Sequence, residues 1–463
     1  MADITKLPAA KLALKIRKKA LSPLEVMTAF LARIEKVNPK LNAIVTLDAE
    51  RAMAAAKQAE QDVMSGKPLP PLHGVPVTVK DAFDTEGLRT TWGTKMRADV
   101  VPTEDATLVK RLKAAGCIVL GKTNTPEFTM SQFTDNILFG PTKNPYNRER
   151  SVGGSSGGEA AALASRMTPI GIGSDIGGSL RIPAHCCGVV SLRPTQGRCP
   201  LTGHMTIGPA HWGTMGVVGP MARNVSDVAL LLSLLEGPDD FDPFCQPLPK
   251  TNPKIKPTSG LRVGLLDLSA MCPVADDVRQ AVRKAADILA AGGGHVEAAE
   301  DPLFPDIFQT WLDLIGYGFK DLVPEIVAAR DILDPRFAML MDLPTPEPIV
   351  FLQAEIKRAM ITQAFIRQYQ KLDVILAPVL TATAPMGDQG PVVNGEPQQL
   401  VYAAMHVYAS VLTGDPAAVV PVANGEDGLP IGVQIHARRG NDALALSAAL
   451  AVEKAVTVKG PRG

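Results

Sequence analysis

An α/β layer fold is what this sequence predicts. Short apolar runs of strand length alternate with amphipathic runs of helix length from one end to the other, the pattern of a sheet covered by helices. Apolar residues make up 46% of the 463, enough for a large core, and 20% are charged, an ordinary surface. No fixed-period repeat is visible. Length alone suggests two or three domains, although α/β bodies often exceed that prior.

The elements follow in order. Residues 5–65 read as helices. Leu12, Leu14, Ile16 and Ala20 form one apolar stripe. Ser22-Pro23 then supplies an N-cap and a first-turn proline for a second helix, whose face is Val26, Met27, Phe30, Leu31 and Ile34. Pro39 is expected to end it. A third helix runs from about Asp48 to Met64 and stops at KPLPPLHG. Gly74–Lys80 alternates as a strand does and delivers Lys80 and Asp81 at its end. Ala106–Ala115 reads as a helix and Cys117–Leu120 as a buried strand, with mostly loop over 121–157. Glu159–Met167 is helical, Ile170–Gly173 a strand, Leu180–Cys187 a short helix, Gly188–Leu192 strand-like and Ser226–Leu235 an amphipathic helix.

Residues 237–260, rich in proline and aspartate, read as a connection. Leu261–Leu266 is a strand. Ala275–Ala291 is a helix stopped by three glycines. Phe304–Gln370 is mostly helical, broken by Pro324, Pro335 and PTPEP. Val374–Ala377 is a strand, Leu400–Leu412 a helix, Ala418–Val422 and Ile431–His436 strands, and Asn441–Val456 a closing helix.

Charge excludes some functions. Lysine plus arginine equal aspartate plus glutamate at 47 each, so nothing points to nucleic acid or an anionic membrane as partner. No apolar run approaches a membrane span, and the N-terminal residues do not read as a signal peptide, so none is expected. The six cysteines form no CxxC pair and read as reduced thiols. A cytoplasmic protein is the expectation. No metal-ligand spacing appears.

One stretch, Gly153–Arg181, holds five serines among eight glycines. Glycine lets backbone N–H groups approach a common point, and such runs bury little. Two motif matches nearby do not hold in context. Gly116–Thr123 fits GxxxxGK[ST], but the residues between the glycines are themselves the strand, where a phosphate cradle needs an open loop. Gly153-Gly-Ser155-Ser-Gly157 fits GxSxG, but a polar loop precedes it where the elbow needs a strand. The histidines supply no partner for a triad: His204 and His211 lie in a loop, His185 in a small-residue helix.

Serine and lysine remain. Ser179 follows two glycines and opens a helix, so backbone amides and a helix dipole converge on it. It reads as a nucleophile or as a simple N-cap. Lys80 ends an apolar strand. It reads as a base whose pKa burial has lowered, or as an edge lysine paired with Asp81 or Asp84.

Together these residues resemble the amidase signature family. The resemblance covers nearly the whole chain: HGVPVTVKD, GKTNTPEF, NPYN, GGSSGGEAAA, GIGSDIGGSLRIPAHCCGVVSLRPTQGR, VGPMARNVSD and LTGDPAAVVPVANGEDGLPIGVQI. It implies one α/β/α layered domain over 1–463 around a mixed, twisted sheet. Within it would lie an N-terminal helical segment (1–70), a catalytic core (71–237), a connecting loop (238–260) and the remaining strands (261–463), with a variable helical pocket region at 303–370.

The resemblance further implies a Ser–cis-Ser–Lys group: Ser179 as nucleophile, Ser155 as bridge after a cis peptide and Lys80 as base. The oxyanion hole would come from the N–H groups of Ile176, Gly177, Gly178 and Ser179. The reaction would need no cofactor and no metal, and the partner would be a small-molecule amide met by a monomer or homodimer.

Substrate choice rests on the residues around this group. Met130, Ser131 and Phe133, then Met205, Ile207 and Trp212, then Tyr317, form a candidate apolar pocket, although each alone also reads as core. They suggest hydrolysis of aryl- or alkyl-amides, as an aryl acylamidase does, extending to esters and, as in a urethanase, carbamates. The alternative is the glutaminase component of a tRNA-dependent amidotransferase. Ala404 or Met405 stands where that component is expected to carry an acid to hold glutamine's ammonium. A catalytically silent binding protein is the third reading.

Overall fold

Strand-forming residues recur between helices along the chain, and the strands assemble into one large mixed sheet. The structure is a computed structural model that describes residues 3–205, 210–257, 259–266, 272–300, 304–317, 323–342 and 344–461. The strands are β1 (Ile44–Leu47), β2 (Pro76–Lys80), β3 (Ile118–Thr123), β4 (Ile170–Asp175), β5 (Val190–Arg193), β6 (Val217–Ala222), β7 (Arg262–Leu265), β8 (His295–Ala298), β9 (Val374–Pro378), β10 (Val392–Val393), β11 (Glu396–Pro397), β12 (Ala417–Asn424) and β13 (Pro430–Ala437). Among the described residues, eleven of them pair in the order β1-β3-β2-β4-β6-β5-β12-β13-β9-β7-β8, and β10 with β11 forms a separate ribbon.

Alternate residues of the central strands face opposite layers, as a pleated strand requires. Ile375, Ala377 and Val419 join one buried apolar cluster, with the buried Gly157–Ala164 and Arg181–Cys187 helices. Val374, Leu376, Ala418 and Val420 join a second, with the Asp276–Ala291 and Asp442–Ala455 helices. Helices therefore cover both faces, as an α/β/α arrangement predicts.

The register that matters most joins β2 to β4. The two are parallel, with Thr78 opposite Gly171 and Val79 opposite Ile172. Their carboxyl ends therefore coincide, which sets Lys80 beside Ser174 and Asp175. In open α/β sheets such strand ends are where ligands bind.

Several local expectations are corrected. Pro39 does not end its helix, which runs Pro23–Leu41 behind a Ser22/Glu25 capping box and stops at Asn42 in the left-handed region. A proline in the final turn removes one hydrogen bond without blocking the two residues after it. The Cys117–Leu120 strand extends through Gly121-Lys122-Thr123. β1, β6 and β8 were not predicted. β1 is four residues at an edge, β8 is exposed throughout, and β6 carries Gly219 and Pro220, two residue types that weaken a strand pattern. The Leu400–Leu412 helix is three short turns, Leu400–Ala403, Met405–Val407 and Tyr408–Thr413.

The glycine of the GKT run has its own structural reason. At Gly121 a Cβ would run into the Thr46 carbonyl oxygen of the antiparallel β1. Gly121→Ala should push β1 from the sheet edge and destabilise the protein by about 1–3 kcal/mol. Urea unfolding checks this; an unchanged midpoint would contradict the close approach.

Candidate active site

Burial of a charge without a counter-charge is the physical starting point. Lys80 is fully buried at the end of β2. Its Nζ donates to Ser155 Oγ at 2.7 Å and to Ser174 Oγ at 3.0 Å. Among the described residues no carboxylate lies within ion-pair distance of it, so the ion pair with Asp81 or Asp84 left open by the sequence is not formed. Asp81 lies instead 3.8 Å from Lys122. Burial pushes the Lys80 pKa down to about 7, opposed by the more distant charge of Asp175. The Gly154–Ser155 peptide is cis.

Ser155, Ser174 and Ser179 line one cavity of about 390 Å³. The loop from Asp175 to Ser179 is held by its carbonyl groups. Arg193 donates to Asp175 O at 2.8 Å, Trp311 Nε1 to Ile176 O at 2.9 Å and Gln132 Nε2 to Gly177 O at 3.1 Å. Ile182 N–H bonds Gly178 O at 2.7 Å. In a trans peptide the next N–H points opposite to the carbonyl. The amides of Ile176, Gly177 and Ser179 are thus turned away from these partners, and among the described residues no protein group takes them. Gly178 N–H differs from the expectation: it donates to Asp175 Oδ1 at 2.9 Å, so it is already engaged.

Asp175 anchors this loop. Its carboxylate takes Arg181 through Nε at 3.0 Å and through the second terminal nitrogen at 3.0 Å, with Arg193 at 3.5 Å. All three side chains are buried. Although burial raises the carboxyl's pKa, the two guanidinium groups and the Gly178 amide outweigh it and hold it well below the usual carboxylate range. No sequence expectation named Asp175, Arg181, Arg193, Ser174 or Gln132. The signal was there for two of them: SDIGGSLR places an acid and a base six residues apart around the glycines.

A second cavity, of about 450 Å³, also reaches Ser179. Ile176, Ser179, Thr129 and Met130 border both. Met205 and Trp212 line the first, and Ser131 the second. Phe133 lines a neighbouring recess with Arg336 and Phe337 and reaches neither Ser179 cavity. Tyr317 stacks on Phe351, ring centres 4.5 Å apart, and also lines neither; its ring is satisfied by that aromatic neighbour. Ile207 lies outside the described residues. Sequence reasoning missed Phe244, from the 238–260 connection, and Trp311, Ile315 and Leu340 of the helical region, because isolated apolar residues in such segments carry no spacing signal.

His204 lines the first cavity, but burial pushes its pKa to about 3, so it is neutral and bonded to Met205 O. His185 is held within the core, its Nδ1 accepting from Gly432 N–H at 3.1 Å and its Nε2 donating to Ala382 O at 3.0 Å. Among the described residues no cluster of His, Cys, Asp or Glu could hold a metal, and no helix is long and apolar enough to cross a membrane.

Fold and site together describe an enzyme. The family profile described as Amidase matches residues 25–446. An indoleacetamide hydrolase of Bradyrhizobium diazoefficiens is 38% identical over 95% of this chain and 84% of that protein. The A component of the glutamyl-tRNA(Gln) amidotransferase of Lachnospira eligens is 34% identical over 92% of this chain and 93% of that protein. The solved structure of a bacterial aryl acylamidase of the amidase signature family superposes with a TM-score of 0.86 at 27% identity, over 97% of this chain and 96% of that one. This chain belongs to the amidase signature family of amide hydrolases.

Asp175→Asn should leave two buried guanidinium groups without a full counter-charge and cost roughly 3–5 kcal/mol of stability. A thermal melt with parallel urea titration checks this. A loss below about 1 kcal/mol would show that the arginines do not depend on the charge.

Proposed function

We propose that the chain is a serine amidase for amides carrying hydrophobic or aryl groups, with esters and carbamates as further substrates, acting through an acyl-enzyme on Ser179. The observation that carries this reading is the 2.7 Å bond from a buried Lys80, poised near neutral pKa, to Ser155, in a cavity that also exposes Ser179.

The chemistry follows from the geometry. Neutral Lys80 accepts the Ser155 proton while Ser155 accepts that of Ser179. Ser179 Oγ attacks the amide carbon. The amides of Ile176, Gly177 and Ser179 meet the oxyanion, and loss of one such donor costs about 2.7–4 kcal/mol of barrier. Ser155 returns the proton to the departing nitrogen. Water then releases the acid by the same relay.

A second reading, the glutaminase component of an amidotransferase, is favoured by the 34% identity to the Lachnospira eligens protein. Against it, Ala404 and Met405 are buried and apolar, and Asp175 is committed to arginines. Glutamine turnover equal to that of aryl amides would favour the glutaminase.

Two outcomes are expected. Ser179→Ala, folded by circular dichroism, should lose at least about 1,000-fold in kcat, in keeping with the loss of a covalent nucleophile. Retained turnover of an anilide would overturn the mechanism. The second concerns pH. Lys80 acts as a base only when neutral, so kcat/KM should rise about tenfold per pH unit below a midpoint near 7 and level off above it. A flat profile between pH 5 and 8 would exclude Lys80 as the base.

A further inference from the structure

We propose that the substrate is an N-substituted amide, with one apolar group on the acyl carbon and a second on the nitrogen. The amine group occupies the first cavity and the acyl group the second. This rests on the amidase reading above and goes further, because it fixes which side of the scissile bond each cavity serves.

Three observations carry it. Ser179 borders both cavities, so a carbonyl held there has open space on two sides. Ser155, which must hand the proton to the leaving nitrogen, lines the first cavity and not the second, and so does Ser174, which holds Lys80. The nitrogen therefore faces the first cavity. The third observation is volume. Ammonia as leaving group needs about the room of a water molecule, on the order of 30 Å³. The first cavity encloses about 390 Å³ beside Met205, Trp212 and Phe244. An apolar cavity of about 150 Å³ already accepts benzene. The second, about 450 Å³, is walled by Trp311, Leu312, Ile315 and Leu340.

A primary amide would leave the first cavity empty of substrate. An N-aryl or N-alkyl amide fills both. The bonds balance without a co-reactant other than water. The Ser179 Oγ–carbon bond forms as its proton passes to Ser155. The carbon–nitrogen bond breaks as Ser155 gives a proton to nitrogen, and a neutral amine departs into the first cavity. Water adds to the acyl carbon, returns a proton through the relay, and frees the carboxylic acid and the Ser179 hydroxyl.

The test is a steady-state comparison of phenylacetamide, acetanilide and N-phenylphenylacetamide with the full-length chain and three variants. Phe244→Ala opens the first cavity, Ile315→Trp fills the second, and Ser179→Ala is the control. For the phenylacetyl group, kcat/KM should be at least tenfold higher for the anilide than for the primary amide. Phe244→Ala should shrink that anilide-to-amide ratio several-fold. Ile315→Trp should instead shrink the phenylacetyl-to-acetyl ratio among anilides. If Phe244→Ala melts at a much lower temperature, Phe244→Leu replaces it and the same ratio is read.

Phenylacetamide turned over as fast as its anilide, with Ser179→Ala inactive on both, would overturn this assignment and leave the amidase reading standing. So would a swap in which Phe244→Ala changes the acyl ratio and Ile315→Trp the amine ratio. Absence of any amide turnover would overturn both.

Discussion

The buried carboxylate of Asp175 is the constraint on which the rest of the site depends. It stands at the carboxyl end of β4 and pairs with Arg181, from the following helix, and Arg193, from β5. Arg181 also reaches Val407 O at 2.8 Å, Ser410 Oγ at 2.9 Å and Gln434 Oε1 at 3.0 Å. Three parts of the chain distant in sequence therefore meet at one ionic cluster. Buried ions are tolerated only when paired and fully hydrogen-bonded, and here the satisfied geometry fixes the glycine loop. The loop's glycines supply freedom, and Asp175 removes it again in one conformation.

Two buried lysines show why burial alone does not mark a base. Lys80 and Lys122 lie on neighbouring parallel strands, β2 and β3. Lys122 donates to Phe83 O, to Thr85 Oγ1 at 3.0 Å and to Thr90 Oγ1 at 2.9 Å, with Asp81 3.8 Å away. That surrounding favours the ammonium, and its pKa falls only to about 8. Lys80 has two hydroxyl groups and, among the described residues, no adjacent carboxylate, and falls to about 7. The difference in partners separates a structural cation from a group poised to accept a proton.

The sequence made the fold class and the chemical stretch legible for different reasons. Alternation of helix and strand periods is local, so most elements could be placed. The short edge strands β1 and β8 could not, because four residues with little burial contrast carry almost no pattern. At the site, the glycine–serine run drew out Ser155 and Ser179 and the end of an apolar strand drew out Lys80, while their joint role came only from the resemblance to the family. The partners that hold the loop did not. Gln132, Trp311 and Arg193 act on backbone carbonyls 45, 135 and 18 residues away in sequence, and contacts that long leave no spacing to read. The pocket suffered most: Phe133 and Tyr317 are apolar residues in suitable segments, yet their rings face other neighbours.

The groups proposed to react come from strand ends and the helix starts beside them, whereas Phe244, Ile315 and Leu340 come from connections and helices outside the central strands; Trp311 serves both, because its Nε1 also holds the Ile176 carbonyl. Apart from Trp311, the ionic anchor and the cavity walls therefore draw on separate sets of residues. Free-energy changes at distant, unconnected positions tend to add. The walls other than Trp311 can thus be exchanged in combination while the ionic anchor stays intact, which makes this site a tractable scaffold for redirecting specificity.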